Sequence, residues 1–165
     1  PTDRKNQKIM AHDILIVDDE ADIRILTSGI LRDEGYQTRE AAGSADALSA
    51  VEARRPSLVL LDIWLQGSEM DGLGILKVLK RDHSVIPVLI MSGHGNIETA
   101  VAAIKAGAYD FIEKPSKADR LLTMIQRAIE SARLRRENRE LRLRGSPETE
   151  LKISILSSLN LPQKC

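Results

Sequence analysis

The 165-residue chain contains one cysteine, Cys165, its last residue, which excludes an internal disulfide and any metal centre built on thiolates. Aromatic residues are almost as scarce, since Trp64, Tyr36, Tyr109 and Phe111 make up 2% of the sequence. So few rings argue against a base-stacking RNA module and against an aromatic-walled ligand pocket. An excess of one charge is missing too, because 24 Lys and Arg balance 24 Asp and Glu. That sum gives no reason to expect binding to nucleic acid or to an anionic membrane. No apolar run reaches the roughly 18 residues of a membrane helix, and the polar start PTDRKNQK lacks the apolar segment of a secretory signal. The expectation is a protein of a reducing cytoplasm.

What is present is a 42% hydrophobic sequence with a regular alternation. DILIV (13–17), QTREA (37–41), SLVLLD (57–62), PVLIMS (87–92) and AYDFI (108–112) read as strands. Between them lie helical stretches. EADIRILTSGILRDEG (20–35) places Ile23, Leu26, Thr27, Ile30 and Leu31 on one face, and a helix from Ser44 carries Ala47, Leu48 and Val51. Leu73, Leu76 and Leu79 mark a third helix near 72–82, and Ile97, Ala100, Val101 and Ile104 a fourth, closed by Gly107. Five strands, apolar except for the weaker QTREA, alternate with helices and predict an α/β fold with a doubly wound, five-stranded parallel sheet, flavodoxin-like, in the order 2-1-3-4-5. The last helix starts near Lys117 and continues past Ala132 through RLRRENRELRLR, an extended C-terminal helix.

The expected organisation is a domain over 10–132 and a helical linker over 133–144, flanked by pieces outside the fold. Leu134, Asn138 and Leu141 fit d, a and d of a heptad, which allows either a short coiled coil or a solvated linker. Residues 1–9 read as a vector-encoded or processed extension, and 145–165 as the stump of a following domain or vector-encoded residues. Neutrality is a cancellation across these pieces. Residues 11–116 hold 17 acidic and 10 basic side chains, whereas 117–144 hold 4 and 9.

In an open α/β sheet, functional groups gather beyond the carboxyl ends of the strands. Asp18 and Asp19 follow the first strand, Asp62 ends the third, Ser92 the fourth, and the fifth leads to Lys114. Three carboxylates, a hydroxyl and an ammonium would then meet in one pocket. Clustered carboxylates repel unless a cation sits among them, and Mg²⁺ suits such oxygen donors. A carboxylate beside such an ion can accept a phosphoryl group, with Asp62 as the candidate nucleophile and Lys114 spreading the transferred charge.

Together LIVDDE, Asp62, Ser92 and Lys114-Pro115 resemble the receiver domain of bacterial two-component response regulators. The resemblance covers roughly residues 12–132. DIWLQGSEMDGLGIL and SGHGNIETAVAAIKAGAYDFIEKP are most similar to the NtrC group and its nitrogen-related NtrX branch. The resemblance implies that Asp62 is the phosphoacceptor for a sensor histidine kinase, NtrY-like in this branch. It implies direct Mg²⁺ ligation by Asp19, Asp62 and the backbone carbonyl of Trp64, with Asp18 acting through water. Lys114 would pair with a phosphoryl oxygen, directed by a cis bond to Pro115, while Ser92 and Phe111 would form the switch. Trp64 and His94 would flank the path of a hydrolysing water. Such a domain is a phosphoacceptor rather than a turnover enzyme. It would form a homodimer through the surface of the fourth helix, fifth strand and fifth helix, through the extended helix, or both. ATPase and DNA-binding domains would follow it, and this stretch itself would bind no nucleic acid.

Each residue also has a plain structural use. Asp18 and Asp19 could cap a helix, Ser92 could cap the next one, Phe111 could be core and Lys114 solvated. Their joint placement is what favours a site. Two departures from the family pattern stand out: the loop WLQGSEM before Asp71-Gly72 is two residues longer than usual, and Ser116 replaces a customary Phe. A competing function is a Mg²⁺-dependent phosphatase of the haloacid dehalogenase type, which needs Asp-x-Asp on the first strand where this chain has adjacent Asp18 and Asp19. A nucleotide or flavin binder would need a phosphate loop after the first strand or aromatic walls, and neither is present.

Overall fold

Strands too short and apolar to be amphipathic must be buried on both faces, and the architecture does this with helices on either side. In a computed structural model, which describes residues 12–93, 97–114 and 116–145, the strands are β1 (Asp13–Val17), β2 (Gln37–Ala41), β3 (Leu58–Asp62), β4 (Val88–Ser92) and β5 (Asp110–Glu113). The helices are α1 (Ala21–Asp33), α2 (Ser44–Ala53), α3 (Gly72–Asp82), α4 (Ile97–Lys105) and α5 (Ala118–Gly145). All pairings are parallel and the order is β2-β1-β3-β4-β5, the flavodoxin-like topology that the alternation predicts.

The pleat divides the core in two. Leu15, Val17, Val59, Leu61, Val88 and Ile90 pack with Ala47 and Val51 of α2, with Ile75, Leu76 and Leu79 of α3, and with Ala103 of α4. Ile14, Ile16, Leu58, Leu60, Leu89, Met91 and Ile112 point the other way, onto Leu31 of α1 and Leu121, Ile125, Ala128 and Ile129 of α5. Adjacent residues of β5 obey the same rule, with Ile112 in the second cluster and Phe111 against the first.

Two helices correct the faces expected from side-chain size. In α1, Leu26 is 63% exposed, and the buried face is Thr27, Ser28 and Leu31. Here the covered strand is the polar edge strand β2, and Ser28 meets Thr38 at 2.6 Å through paired hydroxyls. In α4 the large residues Ile97, Val101 and Ile104 are exposed, and fully buried Ala103 makes the contact. Small side chains let this helix approach the sheet closely, so the alanine face goes inward and the bulky face outward. β5 also starts later than expected. Ala108 N–H is spent on Ala103 O and Tyr109 N–H on Val88 O, so the ladder begins at Asp110.

α5 is one 28-residue helix. Its residues up to Ile129 belong to one compact unit, and Glu130 onward to a second. In that second unit Leu134 and Leu141 are exposed, and Arg133 pairs with Glu130 and Glu137 along its own helix. No helix among the described residues is long and apolar enough to cross a membrane.

Candidate functional site

The parallel sheet brings the ends of β1, β3, β4 and β5 together, and each delivers one polar group. Asp18 directly follows β1, and its N–H still donates to Ala41 O at 3.1 Å. Asp18 is buried, its Oδ1 accepts from Glu20 N–H at 2.9 Å, and its carbonyl accepts from Arg24 Nη1 at 2.8 Å. β3 carries Asp62 into the same space. Its Oδ1 accepts from Trp64 N–H at 3.2 Å. Lys114 arrives from β5, fixed by a 2.7 Å backbone bond from its N–H to Ser92 O. Its ammonium stands between the two acids, hydrogen-bonded to Asp18 Oδ2 and 3.2 Å from Asp62 Oδ2.

Electrostatics follow from that arrangement. Burial, the largest cause, raises the Asp62 carboxyl above the ordinary carboxylate range, and Asp18 adds to it, while Lys114 and the Trp64 N–H pull back. Burial alone would lower the Lys114 ammonium. The Asp18 hydrogen bond and the charges of Asp62 and Asp18 outweigh burial and raise it. One ammonium is thus shared by two buried carboxylates, and the site remains short of positive charge.

Asp19 lies at the rim, where its Oδ2 accepts from Gln66 N–H at 3.3 Å. Carboxylate oxygens of Asp18, Asp19 and Glu20 all come within 4.8 Å of one another. Glu20 is therefore an acid the sequence argument overlooked, although it stands in the same LIVDDE run, and Asp62 is not part of that tight trio. Hard oxygen donors with an unmet negative charge fit a small divalent cation.

Ser92 is fully buried at the end of β4. By the pleat it lies on the same side as Ile90, which is paired with half-buried Phe111, so both residues of the expected switch share one face. The Trp64 side chain is 49% exposed and lines a cavity of about 220 Å³ with Ile63, Asp71, Leu73, Glu98, Thr99 and Ala102. It therefore stands between the β3–α3 loop and α4. His94 and Pro115 lie outside the described residues.

A tight return of the chain holds the loop at Asp62. Gly72 N–H donates to Ile63 O at 3.0 Å, and a Cβ on Gly72 would fall 2.2 Å from Asp62 O, so only glycine fits there. Asp71 then caps α3 by accepting from Gly74 N–H at 2.8 Å. The Asp-Gly pair is thus a device for starting α3 directly against the strand that carries Asp62.

A profile of the response regulator receiver domain matches residues 14–126. The nitrogen assimilation regulatory protein NtrX of Azorhizobium caulinodans is 62% identical over 140 residues, 85% of this chain and 31% of that protein, so the chain spans about a third of this relative's length. The crystal structure of the receiver domain of NtrX from Brucella abortus is 61% identical, with a TM-score of 0.70, covering 72% of this chain and 98% of that one. A solution structure of the beryllofluoride-activated NtrC4 receiver domain dimer is 35% identical, with a TM-score of 0.68, covering 73% of this chain and 98% of that one. With the family profile spanning the whole sheet and these relatives sharing its fold, the chain belongs to the receiver domains of response regulators, of the NtrX and NtrC type.

Proposed function

We propose that Asp62 accepts a phosphoryl group from the phosphohistidine of a sensor histidine kinase. The observation that carries this reading is the Lys114 ammonium held between Asp18 and Asp62. It stands where a transferred phosphoryl group would need a cation. In the transfer, an Asp62 carboxylate oxygen bonds to phosphorus as the phosphorus–nitrogen bond breaks. The electron pair leaves with the imidazole, which takes a proton from water. Lys114 exchanges part of its contact with Asp62 for a phosphoryl oxygen, and Asp18 keeps its ammonium oriented.

Asp19, Asp62 and the Trp64 carbonyl would hold Mg²⁺ directly and Asp18 through water, with Glu20 close enough to join the outer set. The ion, when bound, supplies the positive charge that lets buried Asp62 ionise and that offsets the phosphoryl oxygens. Ser92 then donates its hydroxyl to a phosphoryl oxygen, and Phe111 turns inward on the same face of β5. That repacking alters the surface of α4, β5 and α5, where Ile97, Val101 and Ile104 are exposed. A homodimer formed there, or along the α5 extension, would control following ATPase and DNA-binding domains, while this stretch itself leaves nucleic acid alone. Trp64, with His94, restricts water on the acyl phosphate and prolongs its life.

The haloacid dehalogenase alternative gains nothing from the relatives. Its nucleophile belongs on the first strand, where Asp18 is occupied with Lys114 and Glu20 N–H. The discriminating experiment follows the fluorescence of Trp64, the only tryptophan, during addition of MgCl2 and then beryllofluoride. Both should change the signal, and Asp62→Ala should remove the second change. A silent wild type, or an unchanged response in Asp62→Ala, contradicts the reading.

A further inference from the structure

The β3–α3 loop is anchored at its root by Gly72 N–H on Ile63 O, but its far side faces α2 across a cavity of about 350 Å³ lined by Asp19, Ser44, Gln66 and Ser68 among others. Leu65 and Met70 pack on the core at either end of the tip, and between them Gln66 and Ser68 are held by polar contacts. Gly67 turns the chain at φ +73°, and the Ser68 hydroxyl then accepts from Ser44 N–H at 2.9 Å and donates to Met70 O at 2.6 Å. The N-cap of α2 is Gly43, which has no side chain to offer. Ser68 thus supplies from another loop the acceptor that the helix start lacks. Two residues before it, Gln66 N–H donates to Asp19.

We propose that Ser68 is a positioning residue for the cation site: its clasp on α2 fixes the loop so that the Gln66 amide holds the Asp19 carboxylate oriented before a cation arrives. The inference rests on the reading of Asp19 as a cation ligand. It also gives the longer WLQGSEM loop a purpose, because the added chain length carries a hydroxyl across to α2. Asp19 is only half-buried, so without the amide its carboxylate would rotate freely and lose that freedom on binding. Mutation of a partner that orients a ligand in this way commonly costs roughly 10–100-fold in metal affinity.

The test is an amide chemical-shift titration with MgCl2 on the whole chain, comparing wild type with Ser68→Ala, Ser68→Thr and Ser44→Pro. Proline is accepted at the first helical position and removes the donated N–H from the other side of the clasp. Before any Mg²⁺ is added, Ser68→Ala should shift the Gln66 amide and speed exchange of the Ser44 amide. Its Mg²⁺ affinity should then fall by roughly tenfold. Ser68→Thr should restore both readouts, and Ser44→Pro should reproduce the loss in affinity. Unchanged Mg²⁺ affinity in Ser68→Ala overturns the proposal, as does a loss of affinity with the Gln66 amide unmoved. A wild type that fails to bind Mg²⁺ overturns instead the reading of the site beneath it.

Discussion

Lys114 shares its one charge between Asp18 and Asp62 in the resting protein, and in the proposed reaction the same ammonium meets a phosphoryl oxygen. Its removal should therefore be felt in stability before chemistry. Lys114→Met leaves two buried carboxylates facing each other, a loss on the order of 2–3 kcal/mol, less than for an enclosed pair because the ammonium keeps some contact with water. The pH dependence has a definite sign. Burial raises Asp62 in the fold, so the unfolded chain gives up that proton first and stability falls as pH climbs above the ordinary carboxylate range. The raised Lys114 contributes stability that is complete at neutral pH and is lost only as alkaline pH passes through its folded value. Urea unfolding should accordingly show a larger deficit for Lys114→Met at pH 8 than at pH 5, and Asp62→Asn should stabilise the protein at pH 8 but not near pH 4. A second expectation concerns Trp64, whose side chain lines the groove against Glu98 and Thr99. Trp64→Ala should hasten loss of the phosphoryl group, measured as the decay of phosphorylated protein. An unchanged rate would make shielding the wrong explanation.

At the scale of elements, β1, β3 and β4 were readable because burial on both faces leaves an unbroken apolar run, and the acids at the strand ends were readable because the topology dictates where those ends meet. Helix faces were less so. The period of α4 points to Ile97, Val101 and Ile104, yet Ile97 is 80% exposed and the sheet contact is made through Ala103. Hydrophobicity ranks side chains by size, whereas close packing here selects small ones. Ser68 and Gln66 were marked only by the unusual length of their loop, since a clasp between loops depends on distances that no local pattern encodes. Arg39 on β2 depends on such distances too. Its guanidinium grips Asp13 at 2.6 Å and also donates to Ala50 O and Arg54 O at the end of α2. Asp13 Oδ1 is already buried without a partner. Arg39→Ala should cost less than the roughly 3 kcal/mol of a fully stranded buried charge, because the exposed Arg54 guanidinium, 3.4 Å from Asp13 Oδ2, remains, and Arg39→Lys should recover only part because one ammonium cannot serve all three acceptors. Since Asp13 begins β1 and the acidic site lies beyond its end, Mg²⁺ affinity should stay at the wild-type value in Arg39→Lys.

For the whole molecule, the described chain joins a unit with two core clusters to a second in which the leucines of α5 are exposed. A chain ended after Ala132 should unfold at a denaturant concentration close to that of the full 165 residues. The two candidate dimer surfaces separate by substitution. Val101→Asp should weaken self-association of the beryllofluoride-loaded protein if the α4 face is the contact, and Leu141→Asp should do so if the α5 extension is, with sedimentation velocity as the readout. We expect the α4 face to dominate, because it combines Ile97, Val101 and Ile104 on one exposed helix. The central claim, however, concerns one carboxylate. Intact mass after incubation with acetyl phosphate and MgCl2 tests it most directly: the wild type should gain the mass of a single phosphoryl group, lost on chelation of Mg²⁺ before mixing and absent from Asp62→Asn. A full phosphoryl gain in Asp62→Asn, or none in the wild type, would contradict the account.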